Sequence, residues 1–372
     1  MSKASLLARL MPVKKNRVVF SSYYGRGYSD SPKAICQALL DSGEKLDLCW
    51  LVKNDREAAT LPAGVRPVPH TGFEKFKALA TARVWVDNCR KYENMKKPGQ
   101  FYLQTWHGFA LKRLEADVAD HLEAAYVRAG QTDSAQTDLY LSGSRFMTEL
   151  YQNSFWYHGR VLQIGTPRND VFFTPQPETG AKVRKALGLA PERKLLLYAP
   201  TFRADRSTDA YCLDADGVRK ACETRFGGAW TVLVRLHPNV ADQSASLFAY
   251  DGVHTVDATL YPDMQELLVS ADLLITDYSS SMFDYALSGK PVVRFTPDAA
   301  AYAGDRNFYF ELDSLPFPGA ETNALLEQTI LQLPAQNRAW AEFAARNGFA
   351  EDGQAARRCA DLIINLIKGE TI

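Results

Sequence analysis

Three apolar runs in the second half of this 372-residue chain each end in side chains suited to a phosphorylated ligand. Lys194–Tyr198 is followed by Thr201 and Arg203, Trp230–Val234 by Arg235 and His237, and Leu273–Ile275 by Asp277 and the serines Ser279, Ser280 and Ser281. Short, apolar, β-prone runs read as buried strands. The serines stand where a helix N-cap belongs, Phe283, Ala286 and Leu287 give helical spacing, and Gly289 stops the helix. Open α/β sheets bind ligands beyond the carboxyl ends of their strands, and helix N-termini suit phosphate. The serines alone serve equally well as a plain N-cap. Three polar clusters at one end of one sheet favour a site. In the first half, the run Phe101–Leu103 delivers Gln104-Thr105-Trp106-His107-Gly108. His107 thereby sits where this fold places chemistry, although a histidine packed on a domain face reads equally from the pattern.

To position such groups the chain needs two sheets. Strands are expected at residues 17–22, 46–52, 84–86, 101–103, 139–142 and 161–164, separated by helices at 32–42, 73–81 and 144–153. Strand–helix alternation of this length argues for a parallel sheet covered on both faces. The turn Gly165-Thr166-Pro167-Arg168-Asn169-Asp170, with Pro175, Pro177 and Gly180 close behind, marks the boundary between a domain at 1–172 and one at 173–372. The second domain restarts with strands at 194–198, 230–234, 253–256, 273–275 and 291–295. Helices near 323–331, 336–347 and 354–367 close the chain, the last expected to pack back on the first domain.

Composition narrows the function. Lys+Arg and Asp+Glu balance at 43 each, so no global field points to nucleic acid. Met1 to Ser29 holds six basic residues and no acid, with Leu6, Leu7, Leu10 and Met11 at helical spacing. Residues 1–16 thus read as a membrane-surface segment or as a basic lead-in to the first strand. No run approaches the ~20 apolar residues of a spanning helix. Arg90, Lys91, Lys96 and Lys97 before His107, and Lys112 and Arg113 after it, give basic surroundings that suit an anionic or membrane-held substrate, unless they form an ordinary solvated face. The six cysteines show no metal spacing, and reduced thiols are expected. Gly25-Arg26-Gly27 lacks the third glycine of a dinucleotide fingerprint. Asp214-Ala215-Asp216 has the spacing of a metal-holding D-x-D motif but lies in a polar loop, so a capping pair is expected.

The chain from about residue 17 resembles the CDP-glycerol glycerophosphotransferases of teichoic-acid and capsule-polymer synthesis. The resemblance rests on the order and spacing of Tyr28–Lys33, Thr105–Gly108 with Leu111-Lys112, Gly165–Asp170, Tyr198–Arg203, Arg235–Pro238, Thr276–Asp284, Arg306 with Phe308-Tyr309-Phe310, and Asp352-Gly353. It implies an α/β GT-B-like architecture of two facing Rossmann-like domains with parallel sheets, the first on the acceptor side and the second binding the CDP donor. It also implies a peripheral protein of the cytoplasmic membrane face. Such an enzyme transfers glycerol phosphate from CDP-glycerol to a hydroxyl of a lipid-linked saccharide or polyol-phosphate acceptor and releases CMP.

Within that resemblance both histidines are expected to be essential. We assign His107 as the base toward the acceptor and His237 to the transferring phosphate or the leaving CMP. Arg203, Ser279 and Ser280 would hold the diphosphate, with Thr201, Arg235, Asp277, Ser281 and Arg306 on the same donor edge. Asp284 would take a ribose or glycerol hydroxyl, and Arg168 at the hinge would reach the site or pin the linker. No carboxylate cluster calls for a metal, so no cofactor is expected. Phe109-Ala110 and Arg294-Phe295 depart from the family pattern, the first bearing on the acceptor pocket. A ribitol-phosphate transferase, a GT-B glycosyltransferase or nucleotide-sugar epimerase, and a non-catalytic membrane-associated scaffold are the competing readings. The chain as given, with no appended domain, points to priming or short extension.

Overall fold

Val18-Val19-Phe20, Leu48–Val52 and Val84-Trp85-Val86 show no polar alternation, the mark of strands covered on both faces. A computed structural model describes residues 3–203, 207–299, 302, 308–334 and 337–370, and Arg306 lies outside them. By its contacts the chain divides into two units. Unit 1 comprises Met1–His107, Leu114–Asp170 and Asn347–Ile372, and unit 2 comprises Gly108–Arg113 and Val171–Arg346. The chain therefore leaves unit 1 immediately after His107.

Unit 1 is built on a parallel sheet of β1 (Lys14–Ser21), β2 (Asp47–Val52), β3 (Val65–Pro69), β4 (Ala82–Asp87), β5 (Phe101–Gln104), β6 (Leu139–Ser142) and β7 (Arg160–Gln163). Their spatial order is 3-2-1-4-5-6-7. Successive side chains point to opposite faces. Val18, Phe20, Trp50, Val84 and Val86 enter one buried cluster, and Val19, Cys49, Leu51 and Trp85 enter another. The helix Ala355–Lys368 supplies Cys359, Ile363 and Leu366 to the first cluster, beside Ile35, Cys36 and Leu39 of the helix Asp30–Asp41. Its first amides are capped from a distance: Asp170 accepts from Ala355 (3.1 Å) and Ala356 (2.7 Å). Glu351 accepts from the Thr166 amide and hydroxyl. The Gly165–Asp170 turn and the stretch before Asp352-Gly353 thus form one seam that returns the chain to unit 1.

Unit 1 holds elements that were not anticipated, among them an edge strand and a polar helix. β3 reads Val-Arg-Pro-Val-Pro, and its prolines are tolerated because it is an edge strand. The helix Ala124–Gln136 lacks an apolar stripe and buries Asp133, Ser134 and Gln136 instead. At the N-terminus, Lys3–Leu10 is a helix with Ala8 buried and Leu7 and Leu10 exposed. Lys97 anchors its end, donating to the carbonyls of Ala8 and Met11. Among the described residues no helix is long and apolar enough to cross a membrane.

Unit 2 carries a second parallel sheet: β8 (Lys194–Tyr198), β9 (Trp230–Val234), β10 (Thr255–Asp257), β11 (Leu273–Thr276), β12 (Val292–Phe295) and β13 (Gly319–Ala320). Their order is 10-9-8-11-12-13. One face packs Leu196, Trp230, Val232, Ile275 and Val293 against the helices Ala215–Phe226 and Asn323–Leu331.

Candidate active site

In each sheet the strand order reverses once, between β1 and β4 and between β8 and β11. Such a reversal opens a crevice at the carboxyl ends of the two strands, the usual ligand position in this architecture. Both crevices are lined by polar side chains, and they are described in turn.

In unit 1, Asn88 directly follows β4. Its main-chain oxygen lies 2.7 Å from His107 Nδ1. A carbonyl only accepts, so Nδ1 carries the ring proton and Nε2 of the neutral imidazole is left as a base. The ring stacks on Trp106 (centroids 4.3 Å) and stands 6.0 Å from that of Tyr23. Burial pushes the His107 pKa below the usual imidazole range, against the opposing pull of the Asn88 carbonyl and the Asp30 charge. Asp30 accepts from the Tyr23 hydroxyl (2.5 Å), Arg168 Nη1 (2.7 Å) and the Ser31 amide (2.6 Å). Burial raises its carboxyl, but Arg168, Tyr23 and Ser31 outweigh that and hold it below the usual carboxylate range. Arg168 is therefore an internal partner of Asp30 in unit 1.

The basic surroundings expected around His107 are internal wiring. Arg90 is buried on Glu115 (2.8 Å) and Asp133 (3.1 Å) and lies over the rings of Trp106 and Phe155. Lys91 is buried on Asp87 (2.5 Å), and Lys96 pairs with Asp138 (2.6 Å). Lys97 is spent on the first helix, so each of these four cations has partners inside unit 1, and Arg90 alone lies against Trp106. Lys112 and Arg113 stand over the rings of Tyr302 and Tyr309. Phe109, expected to bear on the acceptor pocket, packs instead on Phe283 (4.5 Å), Phe310 and Phe343. It anchors the segment Gly108–Arg113 in unit 2. Arg294 is buried along Gly319, where a Cβ would come within 2.9 Å of its Nη2.

In unit 2, Asp277 closes β11 and is saturated. It accepts from the Thr201 amide (2.8 Å) and hydroxyl (2.5 Å), the Tyr278 amide (2.6 Å) and Arg203 Nη1 (2.9 Å). Arg203 also grips Asp298 through Nε (2.7 Å) and Nη2 (3.1 Å). Its guanidinium lies over Tyr278 and Tyr302, whose rings stack at 3.8 Å. Thr201, Arg203 and Asp277 are thus one locked cluster, and their first partners are each other.

His237 follows β9 and caps the turn after it, Nδ1 accepting from the Asn239 amide at 3.2 Å. Its neutral ring therefore carries the proton on Nε2 and is a donor there. Phe202 stands 5.1 Å away. Arg235 donates to the Tyr261 carbonyl. The serine run is not a simple cap: Ser280 stands at the N-cap with helical backbone and no side-chain cap bond, while Ser279 Oγ accepts from the amide and hydroxyl of Ser281. The helix spans only Ser281–Ala286 and buries Asp284 in its first turn.

Asp214 caps the helix Ala215–Phe226, accepting from the Gly217 amide, and Asp216 pairs with Arg219 and Lys220. Among the described residues no group of three or more His, Cys, Asp or Glu is disposed to hold a metal. Sequence reasoning missed Tyr23, Asn88 and Asp298 as site residues. Tyr23 and Asn88 stand within two residues of the ends of β1 and β4, a position worth reading once the strand order is known.

Two sheets, each with its polar cluster at the switch point, define an α/β protein of the GT-B-like class. The chain belongs to the CDP-glycerol:poly(glycerophosphate) glycerophosphotransferase family, whose profile matches residues 3–365. It is 31% identical over 339 residues to the teichoic acid poly(glycerol phosphate) polymerase of Bacillus subtilis (strain 168), covering 88% of this chain and 45% of that protein. The teichoic acid glycerol-phosphate transferase of Staphylococcus aureus (strain NCTC 8325 / PS 47) is 29% identical, with 94% of this chain and 93% of that one covered. The chain spans about half the length of the polymerases it matches in B. subtilis and Staphylococcus epidermidis. Among solved structures, the wall teichoic acid polymerase TagF superposes with a TM-score of 0.84 at 29% identity, over 99% of this chain and 93% of that one. A UDP-N-acetylglucosamine 2-epimerase described as putative, from Listeria monocytogenes, shares the fold alone (TM-score 0.52, 14% identity).

Proposed function

We propose that the protein transfers glycerol phosphate from CDP-glycerol to a hydroxyl of a lipid-linked saccharide or polyol-phosphate acceptor, releasing CMP. The observation that carries this reading is the family match from residue 3 to 365. The geometry supports a division of labour. His107, its Nδ1–H held by a carbonyl, offers Nε2 as the base for the acceptor O–H. His237, held from Nδ1, offers Nε2–H to the transferring phosphate or the departing CMP oxygen. Phosphoryl-type transfer asks chiefly for positioning and charge stabilisation. Arg235, Ser279, Ser280, Ser281 and Asp284 supply the donor edge, set by the locked Thr201–Arg203–Asp277 cluster, and no metal ion takes part.

The acceptor would be met at an anionic membrane surface on the cytoplasmic side. Exposed Leu7 and Leu10 with exposed Arg9, Lys14 and Lys15 support that contact, each basic residue adding roughly 1 kcal/mol near an anionic leaflet. Incubation with CDP-glycerol or CDP-ribitol and a panel of lipid-linked saccharides, with and without a chelator, tests the whole reading. CMP release from CDP-glycerol with a lengthened acceptor, unaffected by chelation, is the expected result. No CMP release with any acceptor would favour a scaffold.

A further inference from the structure

Tyr23 and Tyr24 are consecutive non-glycine residues in the left-handed region, at φ +44° and +58°. Each such residue costs on the order of 1 kcal/mol, so the turn persists only where surrounding bonds over-determine it. The Ser22 carbonyl accepts from the Gly25 and Arg26 amides and Asp30 from the Tyr23 hydroxyl, and the side-chain bonds that tie the turn to β4 come from Asn88, which is fully buried. Its Oδ1 accepts the Tyr23 amide at 2.9 Å, and its Nδ2 reaches Ser22 Oγ at 3.4 Å. Its own carbonyl is the group that holds His107 Nδ1. The chain on either side of that carbonyl is itself fixed: the Thr105 amide donates to Asp87 O, and Gln104 Nε2 donates to Cys89 O, both at 2.9 Å. One asparagine therefore spans the β1/β4 switch point. Its side chain holds the strained turn on β1, and its main chain holds the histidine delivered by β5.

We propose that Asn88 is the positioning residue of His107, locking the imidazole in the Nδ1–H form and tying it to the Tyr23 turn, so that turn and ring move as one body. The proposal rests on the base role assigned to His107 above. Without the Asn88 side chain, the peptide whose carbonyl holds Nδ1 loses its tie to the turn; as that carbonyl swings off the ring, the imidazole populates the other tautomer, in which Nε2 carries the proton and cannot accept one. The rate falls while the donor, handled in unit 2, binds as before.

The test begins on the unmutated full chain labelled with 15N-histidine, in which His107 must show Nδ1 protonated and Nε2 bare above its pKa. The opposite tautomer overturns the proposal whatever the variants do. Asn88→Ala should blend the two nitrogen signals and lower kcat by about tenfold or more, with KM for CDP-glycerol within about twofold. Asn88→Asp, which keeps an acceptor for the Tyr23 amide, should retain the single-tautomer pattern. An Asn88→Ala protein with wild-type kcat and an unchanged His107 spectrum refutes the coupling. If that variant does not fold, the Asn88→Asp spectrum decides, a blended pattern refuting it. Absence of CMP release by the unmutated protein would instead refute the transferase reading and leave the tautomer measurement standing.

Discussion

Replacing Arg203 separates a structural cation from a ligand-gripping one. Read as a polar residue on the ligand edge, Arg203 should be removable with little effect on stability. In the structure it is buried with side-chain exposure of 7%, facing Asp277 at 1% and Asp298 at 23%. The Asp298 hydrogen bond and the Asp277 charge raise its pKa further, against the pull of burial. Removing one partner of a buried pair costs roughly 3–5 kcal/mol, because the remaining charge is left desolvated. Asp277 keeps three other donors and Asp298 is partly wet, which puts Arg203→Ala near the lower end, about 3 kcal/mol. At roughly 2–4 °C per kcal/mol for a unit of this size, the Tm should fall by about 6–12 °C. Arg203→Lys should recover only part of that, since an ammonium cannot reproduce the two-pronged contact with Asp298. Arg203→Ala combined with Asp298→Asn should cost less than the sum of the two, as expected of groups in direct contact. Calorimetric melting alongside titration of CDP-glycerol makes the comparison. A Tm within about 1 °C of wild type, together with lost donor binding, would refute the reasoning and return Arg203 to the diphosphate.

The depressed His107 pKa gives a signed pH profile: kcat/KM should rise with pH to a midpoint below the ordinary 6.5 and be flat at neutrality. Asp30→Asn removes a charge that favours the imidazolium and leaves Arg168 opposing it, so the midpoint should move lower still. By linkage, the His107 contribution to stability is present above the unfolded value near 6.5 and is lost as pH falls through the lower folded value. His107→Ala and His237→Ala should each reduce kcat by roughly 10²–10⁴ while both proteins stay folded, measured by CMP release and circular dichroism. Vesicle binding is better tested by Leu10→Glu with Arg9→Glu than by deleting residues 1–15. Deletion would also strip Lys97 of the carbonyls that hold it, whereas the double variant should lose salt-sensitive binding to anionic vesicles with its Tm unchanged.

Strands were legible wherever burial on both faces imposed a continuous apolar run, as at Val18-Val19-Phe20 and Leu273-Leu274-Ile275. They were illegible where position in the sheet excused a poor sequence, as in the proline-bearing edge strand β3. The same limit governed charge. Arg90 and Lys96 read as basic surroundings for an anionic substrate, or as a solvated face, because their carboxylates, Glu115, Asp133 and Asp138, lie 25 to 43 residues away in sequence. Polar clusters at the ends of β8, β9 and β11 were visible because each follows its own strand. Asn88 was not, since its importance depends on β4 lying beside both β1 and β5, an order no local pattern encodes.

The two histidines show the same contrast within a single chemical question, which ring nitrogen holds the proton. For His237 the answer was within local reach. Pro238 has no N–H, so a ring folding back on its own chain first meets the N–H of Asn239, and an N–H can only donate. That contact forces an acceptor at Nδ1 and a proton on Nε2. For His107 the deciding group is a carbonyl 19 residues earlier, on a different strand, and a carbonyl can only accept. Opposite main-chain groups at the same ring atom thus give opposite Nε2 chemistry, one a base and one a donor. The donor was set by two neighbours in sequence, the base by the order in which the strands assemble.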